Sequence, residues 1–304
     1  MTLLDDQDLA ALVLTSRLVD ASATPFSSRD YWALRQQVDP SVLHGRTAAS
    51  ISSEHSLPVE TAQRIAQLFD RTAALAIAIE NLDHAGIWTV TYVGEQYPQR
   101  LRTRLGDAAP VVLHGVGDAG LLSTDGVGIV GSGDVSAQGS QTAREVAEIV
   151  SAAGVSVISG AARGVDSDAM NAALNAGGRV VGVLAESLQS TVAKRGIRQA
   201  VARGQICLVT PYAPTAPFSA RNALARTKII YALAECTVVV ASDHEAGGTW
   251  TGATEALEND YGRVACWTGN GAGPGNHALV ERGASGLPDM AHVRQLTLGF
   301  GAAR

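Results

Sequence analysis

The stretch VVVASDHEAGGTWTGATEAL, residues 238–257, joins an apolar run to a helical pattern through a glycine-rich turn. The apolar run predicts a buried strand, and the residues after the turn predict a helix. Gly247 and Gly248 remove side chains where the strand gives way to the helix, and Thr249 and Thr251 bring hydroxyls beside the free amides of a first helical turn. This combination is typical of a strand-loop-helix unit that approaches an anion.

The same alternation of strand and helix extends over residues 126–270. Apolar runs of strand length are separated by amphipathic segments, a pattern that predicts an α/β fold with a parallel sheet covered on both faces. Ligands of such sheets bind outside the carboxyl ends of the strands. The predicted strands are 127–131, 155–160, 179–184, 206–210, 236–242 and 263–267, and the predicted helices lie near 137–153, 165–176, 193–203, 220–234 and 251–260.

Residues 1–90 carry helical periodicity and almost no strand signal. The more polar segment 22–56 is either a connecting region or a second short bundle. Two short β-rich pieces, WTVTY (88–92) and PVVLHG (110–115), flank a segment whose Arg100, Arg102 and Arg104 are most simply interpreted as a solvated face. The expected organisation is a helical N-terminal domain over 1–87, an α/β domain over 88–285 and a C-terminal tail over 286–304.

Charge and composition exclude several classes of protein. The net charge of −6, from 23 Lys and Arg against 29 Asp and Glu, is inconsistent with the strong positive field of a sequence-independent nucleic-acid binder, so any DNA contact must be local. Cys207, Cys236 and Cys266 lie in or beside apolar runs without metal-binding spacing and are expected as buried thiols. Because no segment approaches the roughly 18 apolar residues of a membrane span, we expect a cytoplasmic protein without membrane contact, metal or cofactor.

Three further loops at predicted strand ends are rich in hydrogen-bond donors. A hydroxyl, a free amide and a guanidinium all suit a phosphate, and glycine lets the backbone approach it. Basic residues early in a helix are poorly placed for the helix dipole, which indicates an external anion. Asp166 or Ser167 is expected to cap the helix after the second loop. The candidate phosphate-binding residues are Gly131, Ser132, Ser159, Gly160, Arg163, Gly164, Arg226 and Lys228, together with Gly247, Gly248, Thr249 and Thr251 of the fourth loop.

The role of Glu255 stays open at this stage. It falls inside the last predicted helix, where it either binds a ribose hydroxyl, acts as an acid or base, or lies on the helix surface as an ordinary glutamate. Trp250 either stacks on a base or packs on the domain. No residue is assigned a catalytic role.

The motifs YPQRL (97–101), VVLHGVGD (111–118), VGIVGSG (127–133), SGAARGVDSDAM (159–170), RTKIIYAL (226–233) and GGTWTGATEAL (247–257), in this order, resemble the DprA/Smf family of DNA-processing proteins. The resemblance covers about residues 60–285. It implies an extended Rossmann-like, doubly wound and mostly parallel sheet that binds single-stranded DNA at its phosphate-pocket edge. It also implies homodimers, a RecA-type recombinase as partner, natural transformation or another form of DNA processing, and no general catalytic activity.

The sequence departs from the family pattern in four places. Typical members have Gly-Ser-Arg in the first loop, where this chain has glycine at position 133, and a histidine where it has Met170. Their Arg-Asn-Arg pattern appears as Arg226-Thr227-Lys228, and a winged-helix-like domain is not expected after residue 285.

The last loop also resembles the wider superfamily that holds the LOG nucleotide phosphoribohydrolases and nucleotide-sensing domains. Two alternatives therefore stand beside DNA binding. One is cleavage of a nucleoside monophosphate, for which Arg163 and Glu255 are the candidate residues, and the other is a nucleotide sensor without turnover.

Overall fold

The computed structural model describes residues 5–20, 22–298 and 300, which fall into two compact units. The first unit comprises the described residues up to Tyr97, Gly106–Gly115 and Pro211–Ala213. The second comprises Pro98–Leu105, Val116–Thr210 and the described residues from Pro214 onward. The chain therefore passes from one unit to the other more than once.

Short helices build most of the first unit. Several begin at a polar side chain that accepts an amide of the first turn, as Asp5, Ser27 and Thr47 do, so the local sequence fixes where each helix starts. The segment 22–56 thus contains short helices, as expected for a second short bundle and not for a connecting region. The helices are α1 (Asp6–Thr15), α2 (Ser28–Arg35), a 3-10 turn (Pro40–Leu43), α3 (Ala48–His55), α4 (Val59–Phe69) and α5 (Thr72–His84).

The core of this unit is apolar, with one buried cation beside it. Leu12, Ile51 and Leu68 are among its fully buried side chains. Arg71 is 7% exposed and donates to the carbonyls of Val13 (2.6 Å) and Ser16 (2.7 Å), which satisfies acceptors that the end of α1 leaves open. An antiparallel pair completes the unit: β1 (Trp88–Thr91) aligns with the first part of β2 (Val112–Gly117).

A parallel sheet forms the centre of the second unit. Most of its strands are largely apolar runs because both faces are covered, which confirms the predicted fold class of a doubly wound, mostly parallel α/β sheet after a helical N-terminal region. The strands are β3 (Gly126–Val130), β4 (Ser156–Ser159), β5 (Val180–Val183), β6 (Ile206–Thr210), β7 (Cys236–Val239), β8 (Arg263–Trp267) and β9 (Ser285–Leu287), in the spatial order β6-β5-β4-β3-β7-β8-β9.

The helices of the second unit connect these strands. From β3 to β6 the chain moves outward on one side, and β7 to β9 extend the sheet on the other, so the order reverses between β3 and β7. Right-handed crossovers put the helices of the two halves on opposite faces, which opens a crevice above β3 and β7. The helices are α6 (Gln99–Leu105), α7 (Ala137–Ala152), α8 (Val165–Asn175), α9 (Leu188–Val192), α10 (Arg195–Ala202), α11 (Ala220–Leu233), α12 (Gly247–Glu258), α13 (Asn276–Glu281) and α14 (Met290–Thr297).

Two local expectations need correction. The arginines of α6 are not a simple solvated face, because Arg100 and Arg104 both pair with Glu235, and Arg100 also pairs with Asp125 (3.4 Å). Helix α12 begins at Gly247 rather than near residue 251, since Gly247 adopts a φ of 78° that turns the extended chain into the helix.

Other expectations agree with the structure or stay open. The three cysteines are free and buried, and burial raises the pKa of Cys207 and Cys266 to about 12 and that of Cys236 to about 11. No helix within the described ranges has the length and apolar character needed to cross a membrane. Part of the range expected as a tail forms β9 and α14, and the division into three domains stays a prediction.

Candidate functional site

Three loops meet at the carboxyl edge of the sheet, after β3, β4 and β7. The amide of Ser132, in the loop after β3, donates to the carbonyl of Ala241 in the loop after β7 (2.8 Å). The carbonyl of the same serine accepts the amide of Val165 at the start of α8 (3.3 Å). The first loop is thus fixed between the other two, and the structure brings together loops that lie about a hundred residues apart in sequence.

Two glycines allow this close packing. A Cβ on Gly131 would lie 2.6 Å from Cγ2 of Val165. Gly164 has a φ of 75°, and a Cβ there would lie 2.5 Å from the carbonyl oxygen of Ser132. A larger residue at either position would separate the loops, so both predicted glycines have a packing reason to be glycine.

A buried ion pair lies beneath the loop after β4. Arg226 of α11 donates to the carbonyl of Gly160 (2.8 Å) and lies 3.7 Å from the carboxylate of Asp166, and the two charged side chains are only 6% and 7% exposed. A side chain on Gly160 would overlap the guanidinium. Burial raises the pKa of the Asp166 carboxyl, and the Arg226 guanidinium opposes that shift. The pair holds the loop from inside the protein.

Asp166 or Ser167 is the expected cap of α8, and neither residue occupies that position in the structure. Gly164 occupies the capping position, and the Asp166 carboxylate accepts the amide of Gly160 (3.1 Å) instead. The hydroxyl of Ser159 is fully buried and donates to the carbonyl of Ile129 on β3 (2.7 Å). Ser159, Gly160 and Arg226 therefore support the loop rather than present donors to solvent.

Arg163 is the exposed cation of this loop. Its side chain lies against Gly133, where a Cβ would come within 3.1 Å of Cγ of the arginine. Glycine at position 133 therefore leaves room for Arg163. The guanidinium forms no ion pair within the described part of the chain, so its charge is available to a ligand.

The start of α12 forms the wall on the other side of the crevice. Ala246 precedes the helix without a side-chain cap, so Gly247, Gly248 and Thr249 offer amides that no capping side chain satisfies. The hydroxyl of Thr251 donates back to the carbonyl of Gly247 (3.0 Å). Gly248 is exposed, and a Cβ at that position would meet no atom within 4 Å, so the backbone is open to an approaching group.

Asn276 orders this wall, and the sequence pattern alone did not reveal it. It is fully buried, accepts the amide of Ser242 (2.9 Å) and donates to the carbonyls of Val240 (2.9 Å) and Trp267 (2.7 Å). One amide side chain thereby satisfies backbone groups at the ends of both β7 and β8. The only sequence signal was a polar residue in a glycine-rich segment, GNGAGPGN, that follows β8.

Lys228 and Glu255 lie farther down the helices. Glu255 is eight residues beyond Gly247, about 12 Å along the axis of α12. Its carboxylate accepts the hydroxyl of Tyr261, which follows the carboxyl end of that helix (3.5 Å). Burial lowers the pKa of Lys228, and nearby Glu255 opposes that shift. No hydrogen bond or ion pair joins Arg163 to Glu255 among the described residues.

The chemistry available at this edge is donation to anions. The described residues contain no group of His, Cys, Asp and Glu side chains able to hold a metal ion. Within that part of the chain, the crevice offers the unpaired Arg163 guanidinium, open backbone amides and the positive end of a helix dipole. The carboxyl edge is where doubly wound α/β proteins bind their ligands, and the chain has the architecture of that class.

Comparisons with known proteins identify the family. The sequence profile of the DNA recombination-mediator protein A family matches residues 88–297, and the chain belongs to that family. The chain is 27% identical over 255 residues to DNA processing protein DprA of Bacillus subtilis, a match that spans 83% of this chain and 82% of that relative.

Two solved structures share the fold. DNA processing protein A of Streptococcus pneumoniae aligns with a TM-score of 0.65 at 21% identity, over 90% of this chain and 98% of that one. DNA processing protein A of Helicobacter pylori, whose structure concerns its single-stranded DNA binding mode, aligns with a TM-score of 0.58 at 22% identity, over 70% of this chain and 97% of that one. The expected resemblance to DNA-processing proteins is confirmed.

Proposed function

We propose that this DNA-processing protein binds single-stranded DNA through its phosphates at the carboxyl edge of the sheet. Membership of the family and the single-stranded DNA binding of the Helicobacter pylori protein support the choice of ligand. The observation that carries the proposal is Arg163, an exposed guanidinium without an ion pair in the described part of the chain, in the crevice that Ser132 ties together. A phosphate there satisfies an arginine that no acidic side chain neutralises.

The proposed contact residues are a subset of the predicted ones. Backbone amides and hydroxyls would bind phosphate oxygens beside the Arg163 guanidinium, while Ser159, Gly160 and Arg226 would hold the loop from beneath. Lys228 and Glu255 lie outside the proposed contact surface. The contact residues are Gly131, Ser132, Arg163, Gly164, Gly247, Gly248 and Thr249, whereas the hydroxyl of Thr251 is already bonded to Gly247.

The charge of the edge sets the expected strength of binding. Asp134, in the loop after β3, and Asp243 and Glu245, in the loop after β7, are exposed at the same edge as Arg163. Few cations therefore face the ligand, and binding depends on a small number of phosphate contacts. For single strands each contact contributes a slope of about 0.7 in the logarithm of affinity against the logarithm of salt concentration. We expect a shallow overall slope.

The biological setting is part of the same proposal. We infer a role without catalysis, as a homodimer in the cytoplasm that acts with a RecA-type recombinase in recombination, DNA uptake or the response to foreign DNA. The division into a helical domain (1–87), a Rossmann-like domain (88–285) and a tail (286–304) belongs to this proposal.

Fluorescence anisotropy of a labelled single-stranded oligonucleotide across a salt series tests the proposed site. Arg163→Ala should lower the salt slope by about 0.7 and the affinity several-fold, because one phosphate contact is lost. Arg294→Ala, which removes an exposed cation from α14, is the matched control and should change neither quantity. Absence of binding at low salt, or an Arg163→Ala variant with the affinity of the unmodified protein, would contradict the proposal.

A further inference from the structure

The most basic stretch of the chain lies outside the loops of the carboxyl edge. Residues 187–205, SLQSTVAKRGIRQAVARGQ, hold Lys194, Arg195, Arg198 and Arg203 and no acidic residue, in a protein whose net charge is −6. All four side chains are exposed. They belong to α10 and its two flanking residues, so a short helix carries a local field opposite in sign to the charge of the whole protein.

These cations are not used within the protein. Lys194 has a loose pair with Glu186 at 3.8 Å, in which the two side chains are 66% and 42% exposed. Arg195, Arg198 and Arg203 form no ion pair or side-chain hydrogen bond within the described ranges. Lys194 and Arg195 also stand at the amino end of the helix, where the helix dipole disfavours positive charge. An arrangement that costs stability and has no internal partner points to an external anion.

The three arginines share one face of α10. Ala200 is buried on the side opposite them, and Ile197 and Val201 are half-buried there. Arg195 and Arg203 are eight residues apart, about 12 Å along the axis, with Arg198 between them. A linear polyanion can contact three cations spaced in this way with successive charges, whereas one compact anion cannot reach all three.

The position of α10 in the fold places this face beside the proposed DNA site. The chain descends from the carboxyl end of β5 through α9 and α10 to the start of β6. Strand β5 is the neighbour of β4, whose loop carries Arg163, and Lys194 and Arg195 are the residues of α10 nearest the carboxyl edge. A strand bound at Arg163 that continues toward β5 would therefore reach the arginines next.

We propose that the outer face of α10, defined by Arg195, Arg198 and Arg203, is a second phosphate-backbone contact for single-stranded DNA that leaves the crevice at the carboxyl edge. This inference rests on the proposed function. It adds a direction for the strand, from the loop after β4 across β5 and along α10. Backbone contacts of this kind position a strand without reading its sequence.

Oligonucleotides of two lengths test the proposal by anisotropy across a salt series. The triple variant Arg195→Ala, Arg198→Ala, Arg203→Ala should bind an oligonucleotide of about six nucleotides as the unmodified protein does, because that length fills only the crevice. For one of about thirty nucleotides, its salt slope should fall by about two and its affinity at least tenfold. Replacement of the same three residues by lysine should retain the slope.

Controls separate this proposal from the proposed function. A triple variant at Arg17, Arg29 and Arg294 removes the same charge from other exposed positions and should leave both affinities unchanged. If the unmodified protein binds neither oligonucleotide, the proposed function fails. If it binds both and the α10 variant keeps the full slope with the longer one, only the second contact is overturned. If the triple alanine variant of α10 binds DNA as the unmodified protein does but no longer binds vesicles of anionic lipid, the face contacts a membrane surface instead.

Discussion

Two clusters of arginine and carboxylate lie at opposite edges of the same sheet and differ in burial. At the carboxyl edge, Arg226 and Asp166 are almost fully enclosed, with side chains 6% and 7% exposed. At the amino edge, Arg100 and Arg104 share Glu235, with side chains 20%, 23% and 24% exposed. Both clusters also bond to backbone carbonyls, as Arg226 does to Gly160 and Arg100 does to Leu233 (2.9 Å).

The difference in burial indicates what each cluster does. A network that is about one fifth exposed at the amino edge keeps water as an alternative hydrogen-bond partner, so the loss of one member costs less stability. An enclosed pair has no such alternative, and it sits directly under the loop that presents Arg163. The carboxyl edge thus uses a costly internal arrangement to fix a loop, while the amino edge uses an ordinary one to anchor α6.

Removal of one carboxylate from each cluster should give the largest contrast. Asp166→Ala removes the acceptor of the Gly160 amide and the side chain that packs beside Arg226, both of which a protonated carboxyl still supplies, and should lower the free energy of unfolding by about 3–5 kcal/mol. Glu235→Ala should lower it by about 1–2 kcal/mol, because Arg100 and Arg104 can turn to water. Urea unfolding followed by circular dichroism measures both, and equal losses would show that the enclosure of the pair has no energetic consequence.

Glycine substitutions sharpen the contrast at the backbone. Gly160→Ala places a methyl group against the Arg226 guanidinium and should cost about 2 kcal/mol or more, together with a loss of single-stranded DNA affinity as the loop shifts. Gly154→Ala, before the amino end of β4, meets no atom within 4 Å and has a φ of 73°, so it should cost about 1 kcal/mol of backbone strain. DNA affinity should stay unchanged in Gly154→Ala. If Gly160→Ala keeps the full affinity for single-stranded DNA, the buried pair of Arg226 and Asp166 does not support the DNA site.

The pH dependence of stability reports on the enclosed carboxyl. Because burial raises the folded-state pKa of Asp166 above its ordinary value of 3.8, the folded protein binds this proton before the unfolded chain does. Its contribution to the free energy of unfolding should therefore increase as the pH falls from the raised folded value toward 3.8, with a slope below about 1.4 kcal/mol per pH unit. Unfolding at several pH values, with Asp166→Asn as the reference without this titration, measures the slope. If the free energies of unfolding of the unmodified protein and of Asp166→Asn differ by the same amount at every pH, this prediction is wrong.

Glycine substitutions at residues with a left-handed backbone conformation should change the free energy of unfolding least. Ala161, in the loop after β4, has a φ of 54°, and Asp260, before β8 at the amino edge, has a φ of 53°. Glycine at either position relieves about 1–2 kcal/mol of strain but adds about 0.4–1 kcal/mol of unfolded-state entropy, so each change should gain about 0.5 kcal/mol. Thermal unfolding measures the gain. Ala161→Gly should also weaken DNA binding because it loosens the loop after β4, whereas Asp260→Gly should not. If both variants bind DNA with the same affinity, the loop after β4 does not contribute to DNA binding.

Much of the fold follows from local sequence. Strands β3 to β8 were predictable because they are largely apolar runs, and α7 and α11 begin close to the predicted positions, at Ser136 and Ser219, whose side chains accept an amide of the first turn. The start of α12 was displaced by several residues, since Ala246 is no capping residue and the turn depends on the backbone angle of Gly247. Local patterns therefore fail where a glycine conformation replaces a capping side chain.

The candidate site was predictable only in part. The glycines and Arg163 were found because a strand end followed by glycine and a donor is a local pattern. Whether Arg226 faces solvent or Asp166 depends on how α11 packs against β4, and the place of Lys228 and Glu255 depends on how α11 packs against α12. The role of Asn276 could not be predicted from a local pattern, because the groups to which it bonds lie at the ends of two different strands.

The sequence by itself determined the α/β class, the order of strands and helices, and the edge of the sheet at which the glycine-rich loops gather. Periodicity and caps act over a few residues, so they can be read from the chain. Only the tertiary structure decided which donors face the crevice, because burial of a side chain depends on neighbours that are distant in sequence. Arg163 and Arg226 are both arginines of predicted phosphate loops, yet packing leaves one exposed and encloses the other against Asp166.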